Sequence, residues 1–329
     1  MSLTGIAIGA AGAWGVSQGL SRFGRNPARP PQLYEFYLDN YWFKSAGLDT
    51  QSMNPPLKGS RKADIVILGG GFTGLASAYH LAQKFPDRKI VLLEGACCGY
   101  GASGRNGGFV DTRVPGIYDY IEKAGYEKGR HAFDISLYGI NLIKQLVPEY
   151  GLDCEFEENG SLVTAMDDKQ ARALERDCAT FKAMGLEASI IQGPELEAQI
   201  KSPRYIAGLT FPYTGIVNPY KLARGMKALV EDMGVEILEK TVVMRFTPSV
   251  GQMGEFKNIY YGVAHNGEGV GNCQTAGRII ADLMAGEPSE LTKLYYVNHK
   301  IPWAGPQKLR IIPARLYKWY RNRWCTAVS

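Results

Sequence analysis

The sequence predicts an α/β architecture (α+β overall) built around a Rossmann-like nucleotide-binding domain. Three observations carry that expectation. A short apolar run, residues 64–68 (DIVIL), leads directly into Gly69-x-Gly71-x-x-Gly74. A stretch of helical period follows, with Leu75, Ala78, Tyr79 and Ala82 on one face. A second apolar run, residues 90–94 (IVLLE), ends in Glu94. Strand, glycine turn, helix and strand in that order and length make a βαβ unit.

Each residue of the pattern has a physical task. Gly69 permits the tight turn, Gly71 lets backbone approach a pyrophosphate, and Gly74 lets helix and strand pack closely. Phe72 and Thr73 open the helix, whose N-terminus offers N–H groups and partial positive charge to phosphates. Glu94 is placed to accept hydrogen bonds from an adenosine ribose and would repel a 2′-phosphate, which disfavours NADP. The pattern alone describes an FAD/NAD(P)-binding domain and does not separate FAD from NAD.

Composition bounds the rest. The 329 residues are 45% hydrophobic and 21% charged, a globular composition with room for one large domain or two ordinary ones. The formal net charge of +5 resides in the tails: residues 1–30 and 310–329 carry arginines and Lys318 but no acid. No basic stripe interleaved with aromatics crosses the body, so a nucleic-acid partner is not expected. Six cysteines lack a C-x-x-C pair and four histidines lack H-E-x-x-H, so no metal site is expected. A reducing, cytoplasmic setting is the default. Residues 3–20 are uncharged and weakly apolar, readable as a leader, an anchor or a docked tail. Export or membrane association through that segment is the alternative.

Further along, residues 26–33 read as a Pro-rich linker and 34–43 as an aromatic arm packed on the body. Helices are expected at 129–148, 168–184, 218–233 and 272–285, the third opened by Asn218-Pro219. Asn159-Gly160 is expected to turn between two strand-like runs within 154–165. Further strands are expected within 188–191, 205–215, 235–243 and 258–264. Residues 99–109 (GYGASGRNGGF) hold five glycines with Ser103, Arg105 and Asn106, a loop able to present N–H groups and small polar side chains to a phosphate or a flavin edge. A flexible loop without a ligand is the alternative.

The runs VILGGGFTGLASAYHLA and VLLEGACCGYGASGRNGG resemble the D-amino-acid oxidase-type FAD-dependent oxidoreductases, within them the glycine oxidase and gamma-glutamylputrescine oxidase branch. Residues 208–219 (GLTFPYTGIVNP) and 259–286 are similar to two further segments of that family, the second being its final flavin motif. The resemblance implies FAD as cofactor. It implies contacts from Gly69, Gly71, Phe72, Thr73, Gly74 and Glu94, from Ser103, Gly104, Arg105, Asn106, Gly107 and Gly108, and from Gly267, Gly269, Val270 and Gly271. Arg105 and His265 are candidates near the flavin; no catalytic acid or base is nominated.

The activity implied is oxidation of the C–N bond of a small amine or amino acid by hydride transfer to flavin N5. Water then hydrolyses the imine, and oxygen or another acceptor reoxidises the flavin. Relative to the family pattern, a block of sequence is missing near 243–246, which leaves a truncated antiparallel substrate domain. The expected organisation is an N-terminal segment (1–33), the FAD domain in two parts (34–150 and 218–289), a partial substrate domain (151–217) and a basic tail (290–329). Three alternatives stand beside it: a non-catalytic FAD-binding remnant, an NAD-dependent dehydrogenase, and membrane contact through the termini, the C-terminal stretch docking on the body or lying on a membrane surface.

Overall fold

The computed structural model describes residues 5–9, 40–47, 53–112, 114, 117–242, 251–252, 259–262, 269–294 and 297. The expected linker at 26–33, the break at 243–246, Gly267, His265 and the tail beyond 297 lie outside these residues.

The βαβ unit forms as the sequence predicts. Strand β2 (Ile65–Leu68) runs into helix α2 (Phe72–Lys84), which returns to β3 (Ile90–Leu93). The two strands pair in parallel, Ile65 opposite Ile90 and Leu68 opposite Leu93. Every residue of α2 from Phe72 to Ala82 is buried, so the helix is covered on all sides. On the far side of β3 lies β9 (Glu236–Leu238), also parallel and shorter than the expected 235–243 strand.

On the other side of β2 the structure departs from the sequence reading. Gly5–Gly9, inside the segment read as leader, anchor or tail, form strand β1 within the sheet. β1 pairs in parallel with β2, Gly5 opposite Ile65, and with β11 (Ile259–Gly262), Ile6 opposite Ile259. The six-stranded order is β10-β11-β1-β2-β3-β9, with the short β10 (Gly251–Gln252) antiparallel at its end. A parallel pairing joins segments remote in sequence, so local patterning does not reveal it.

Helix α8 (Gly269–Ala285) follows β11 and lies against α2. A Cβ on Gly277 would sit 2.5 Å from the Ala76 carbonyl carbon, so only glycine allows this approach. Helix α4 (Tyr126–Glu149) packs on α8, where the Thr275 hydroxyl donates to the Ile135 carbonyl at 3.3 Å. Helix α7 (Pro219–Asp232) covers the other flank of α2 with Leu222, Met226, Leu229 and Val230, all buried. It opens as expected, with Pro219 in its first turn and the Asn218 side chain accepting from the Lys221 N–H.

A second hydrophobic cluster lies under an antiparallel sheet of order β5-β7-β6: Ser161–Ala165, Ala207–Phe211 and Ser189–Ile191. Phe133, Leu174, Cys178, Leu209 and Phe211 fill it beneath helix α5 (Asp168–Ala183). The hairpin expected around Asn159-Gly160 does not form. Glu157 instead bridges to Ile216, and the Gly160 N–H donates to the Thr214 carbonyl at 3.1 Å. The turn therefore carries the chain from its bridge with β8 (Gly215–Ile216) into β5, whose partner is β7. Among the described residues no helix is long and apolar enough to cross a membrane.

Candidate dinucleotide site

The site lies where β2 and β3 end and α2 begins. Gly69 holds φ = +99°, a left-handed conformation that favours glycine, and its N–H donates to the Leu93 carbonyl. Gly70 packs against the next turn: a Cβ there would meet the Cys98 Sγ at 2.5 Å. Gly71 is the N-cap of α2 and brings no side chain to it. The Phe72 N–H is met instead by the Ser103 hydroxyl oxygen at 3.0 Å. Thr73 is buried, with its hydroxyl 2.9 Å from the Cys273 Sγ of α8. A Cβ on Gly74 would lie 1.9 Å from the Gly69 carbonyl oxygen, so this glycine closes the turn onto the helix.

Glu94 anchors the opposite wall. Its Oε2 accepts from the Gly70 N–H at 2.6 Å and its Oε1 from the Ala96 N–H at 2.8 Å. With the Gly95 N–H also bonding it, the carboxylate still keeps acceptor capacity for a ribose hydroxyl. Desolvation pushes the carboxyl above its usual range, backbone donors oppose that, and the charge of Glu239 adds to the rise.

The glycine-rich loop is braced from inside and outside. Ala102–Gly104 form one 3-10 turn. The Asn106 amide donates to the Ala102 and Ser103 carbonyls, and its oxygen accepts from the Gly108 N–H at 2.9 Å. Gly104 and Gly108 are packing glycines: added Cβ atoms would lie 2.2 Å from the Gly99 oxygen and 2.3 Å from the Val217 oxygen. An added Cβ on Gly107 would lie 3.1 Å from the Phe109 ring. The aromatic arm supplies helix α1 (Tyr41–Ser45), where the Trp42 indole N–H donates to the Asn106 carbonyl at 2.8 Å. Arg105, expected near the flavin, stacks its guanidinium 4.9 Å from the Phe43 centroid and 4.4 Å from that of Tyr100. The arm thus fixes the loop through Arg105.

Gly269, Val270 and Gly271 were expected in a glycine turn and instead form the first turn of α8. Because Thr73 touches Cys273, the N-termini of α2 and α8 lie side by side. Two helix N-termini at the end of a parallel sheet make an electropositive edge suited to a diphosphate and an electron-rich ring. Five buried cysteines are free thiols, and burial pushes Cys97 up to about 11 and Cys273 up to about 12. Among the described residues no cluster of three potential metal ligands occurs.

Two groups of residues escaped the sequence reading. Glu239 is fully buried behind Glu94, and Lys227, Glu231 and Asn54 form a polar network beside it. The signal was present: like Glu94, Glu239 is an acid directly after a β-strand. Trp42 and Phe43, expected in an arm packed on the body, also brace the glycine-rich loop through Asn106 and Arg105.

A cradle that added Cβ atoms would fill, with a ribose-type acceptor on one wall and two helix N-termini on another, fits FAD. The family model described as FAD dependent oxidoreductase (DAO) matches residues 64–253, and the chain belongs to that family. FAD is therefore its cofactor. Gamma-glutamylputrescine oxidoreductase of Escherichia coli is 32% identical over 199 residues, 59% of this chain and 46% of that protein. A probable oxidoreductase OrdL of Haemophilus influenzae is 29% identical over 213 residues, 64% of this chain and 48% of that one. The chain thus spans about half the length of these curated relatives. Glycine oxidase from Geobacillus kaustophilus superimposes with a TM-score of 0.60 at 13% identity, over 74% of this chain and 100% of that one. That likeness shows the fold.

Replacing Glu94 with Ala is expected to weaken FAD binding about tenfold or more, since charge-assisted hydrogen bonds each contribute roughly 1.5–3 kcal/mol. The far-UV circular dichroism should stay unchanged. Flavin-fluorescence titration checks this, and equal affinities would remove Glu94 from the ribose role.

Proposed function

We propose that this chain binds FAD and oxidises the C–N bond of a small amine or amino acid. The observation supporting this most directly is the glycine cradle at Gly69–Gly74 facing Glu94. FAD, when bound, would supply the two-electron acceptor for oxidation at the substrate α-carbon. The remaining tasks fall to this chain's residues. Glu94 would hold the ribose hydroxyls. The N-terminus of α2, from Gly71, Phe72 and Thr73, would receive the pyrophosphate. The Ser103–Gly108 loop, fixed by Asn106 and the arm, would serve the flavin side. The N-terminus of α8 would stabilise negative charge on the ring. Oxidation of a neutral amine by this route relies on positioning and on exclusion of water, with no protein base assigned.

A truncated substrate domain with a break near 243–246 is part of the same reading. It leaves room for a second one, an FAD-binding shell without turnover. One feature favours that reading: among the described residues, β5 and β6 each have a single neighbour in their sheet. Anaerobic addition of a panel of primary and secondary amines and amino acids to the FAD-loaded chain separates the two. Bleaching of the flavin band near 450 nm (on the order of a full band loss for two-electron reduction) by one class of amine is the expected result. A flavin spectrum that no amine bleaches favours the shell.

A further inference from the structure

The ends of β3 and β9 are joined by more than sheet pairing. The Glu94 N–H donates to the Leu238 carbonyl, the Lys240 N–H to the Ala96 carbonyl, and the Thr241 N–H to the Glu94 carbonyl. At this corner Lys240 holds φ = +54°, a left-handed backbone that L side chains with a Cβ disfavour. That turn sends the Glu239 side chain inward, where it is 0% exposed. Its Oε1 accepts from the Cys98 N–H at 2.7 Å and from Arg224 at 3.2 Å, and its Oε2 from the Asn54 N–H at 2.6 Å. Cys98 is the residue whose Sγ abuts Gly70, and the neighbouring Gly99 N–H donates to the Gly70 carbonyl at 2.9 Å. Gly70 in turn donates to Glu94. An unbroken chain of contacts runs Glu239, Cys98, Gly70, Glu94.

We propose that Glu239 is a positioning residue for the adenosine end of the cofactor, acting on Glu94 through the 95–99 turn and through its own charge. This rests on the reading of the cradle as an FAD site. In the observed arrangement of the 95–99 turn, Glu239 accepts from the Cys98 and Asn54 N–H groups together. That arrangement holds the Gly70 N–H against Glu94 and aims the carboxylate. The charge of Glu239 makes ionisation of Glu94 harder. Arg224 of α7 pairs with Glu239, and Lys227 of α7 holds Asn54 and Glu231. With those cations, the Tyr220 hydroxyl beside Cys97 and the thiols of Cys97 and Cys98, raised by burial first and by Glu239 second, are the titratable groups around it.

Ribose hydroxyls donate to ionised Glu94, so FAD binding favours the charged form. Affinity is full above the raised pKa of the free site and falls as pH drops through it. Removing Glu239's charge eases ionisation and moves that midpoint down. Removing Arg224's charge moves it up.

The test is FAD titration of the full chain against pH, FAD being a probe whose pyrophosphate stays ionised across the range. Glu239→Gln is expected to weaken FAD about tenfold or more at neutral pH, the scale of one charged hydrogen bond, and to lower the pH midpoint. Arg224→Gln is expected to raise it. A purely structural role would reduce affinity in both variants with the midpoint fixed, and that result overturns the proposal. If Glu239→Gln does not fold, Arg224→Gln decides alone, and an unmoved midpoint overturns the proposal. A wild-type chain that takes up no FAD overturns the cradle reading and this one with it. A wild type that binds, beside variants with unaltered profiles, overturns the role of Glu239 alone.

Discussion

Gly74→Ala is expected to abolish FAD uptake and to destabilise the fold by about 3 kcal/mol, the upper end of what overpacking costs. The added Cβ would lie 1.9 Å from the Gly69 carbonyl oxygen and 3.5 Å from the Ile67 Cγ2. The first of these is backbone, and no rotamer change relieves it. Helix α2 cannot retreat either. It is buried along its first three turns, and Gly277 of α8 already brings a neighbouring backbone against Ala76. The remaining escape is to open the Gly69–Gly71 turn, which removes the Gly70 N–H from Glu94. Cofactor binding and stability should therefore fall together. Denaturant midpoints and a parallel FAD titration measure both. A Gly74→Ala chain that retains stoichiometric flavin would show that the turn does not cradle the cofactor.

The wild-type protein is expected to lose about 3 kcal/mol of stability as pH falls from about 6.5 to about 4, through His80 alone. His80 is buried in α2, and its Nε2 has no hydrogen-bond partner. Desolvation and then the nearby Arg278 lower its pKa from 6.5 to about 4, against smaller opposing contributions from Gln83 and then Asp282. The unfolded chain binds the imidazole proton below about 6.5 while the folded chain refuses it until about 4. Stability is whole above the unfolded value and falls with pH across that window. His80→Leu keeps an apolar side chain of similar reach and cannot titrate. Its denaturation midpoint should be much flatter over the same range. Parallel losses in both chains would assign the acid sensitivity to other groups.

Local chemistry was legible in the sequence and distant pairing was not. Gly69, Gly74 and Glu94 lie within one βαβ unit, and the tight turn and close helix–strand approach that the glycine spacing predicts both form. Asn218-Pro219 opens its helix because a cap needs only the next three residues. By contrast Gly5–Gly9 pair with Ile65–Leu68 and Ile259–Gly262, and five small or apolar residues carry no signal for partners that remote. Asn159-Gly160 has the composition of a hairpin turn, yet the strand beside it belongs to residues 207–211. Arg105 sits in a motif rich in phosphate-binding residue types, and its aromatic neighbours Phe43 and Tyr100 took it into a stacking role. Glu239 was passed over because its partners, Cys98, Asn54 and Arg224, come from three separate parts of the chain.

This chain is expected to hold FAD in the Gly69–Gly74 cradle although it spans about half the length of its curated relatives. The direct measurement is the visible absorption spectrum of the purified chain, reconstituted with FAD and then desalted. The expected result is a protein-bound flavin spectrum at about one FAD per chain, one site being what a single cradle provides. A chain that is folded by circular dichroism and carries no flavin after desalting would contradict it.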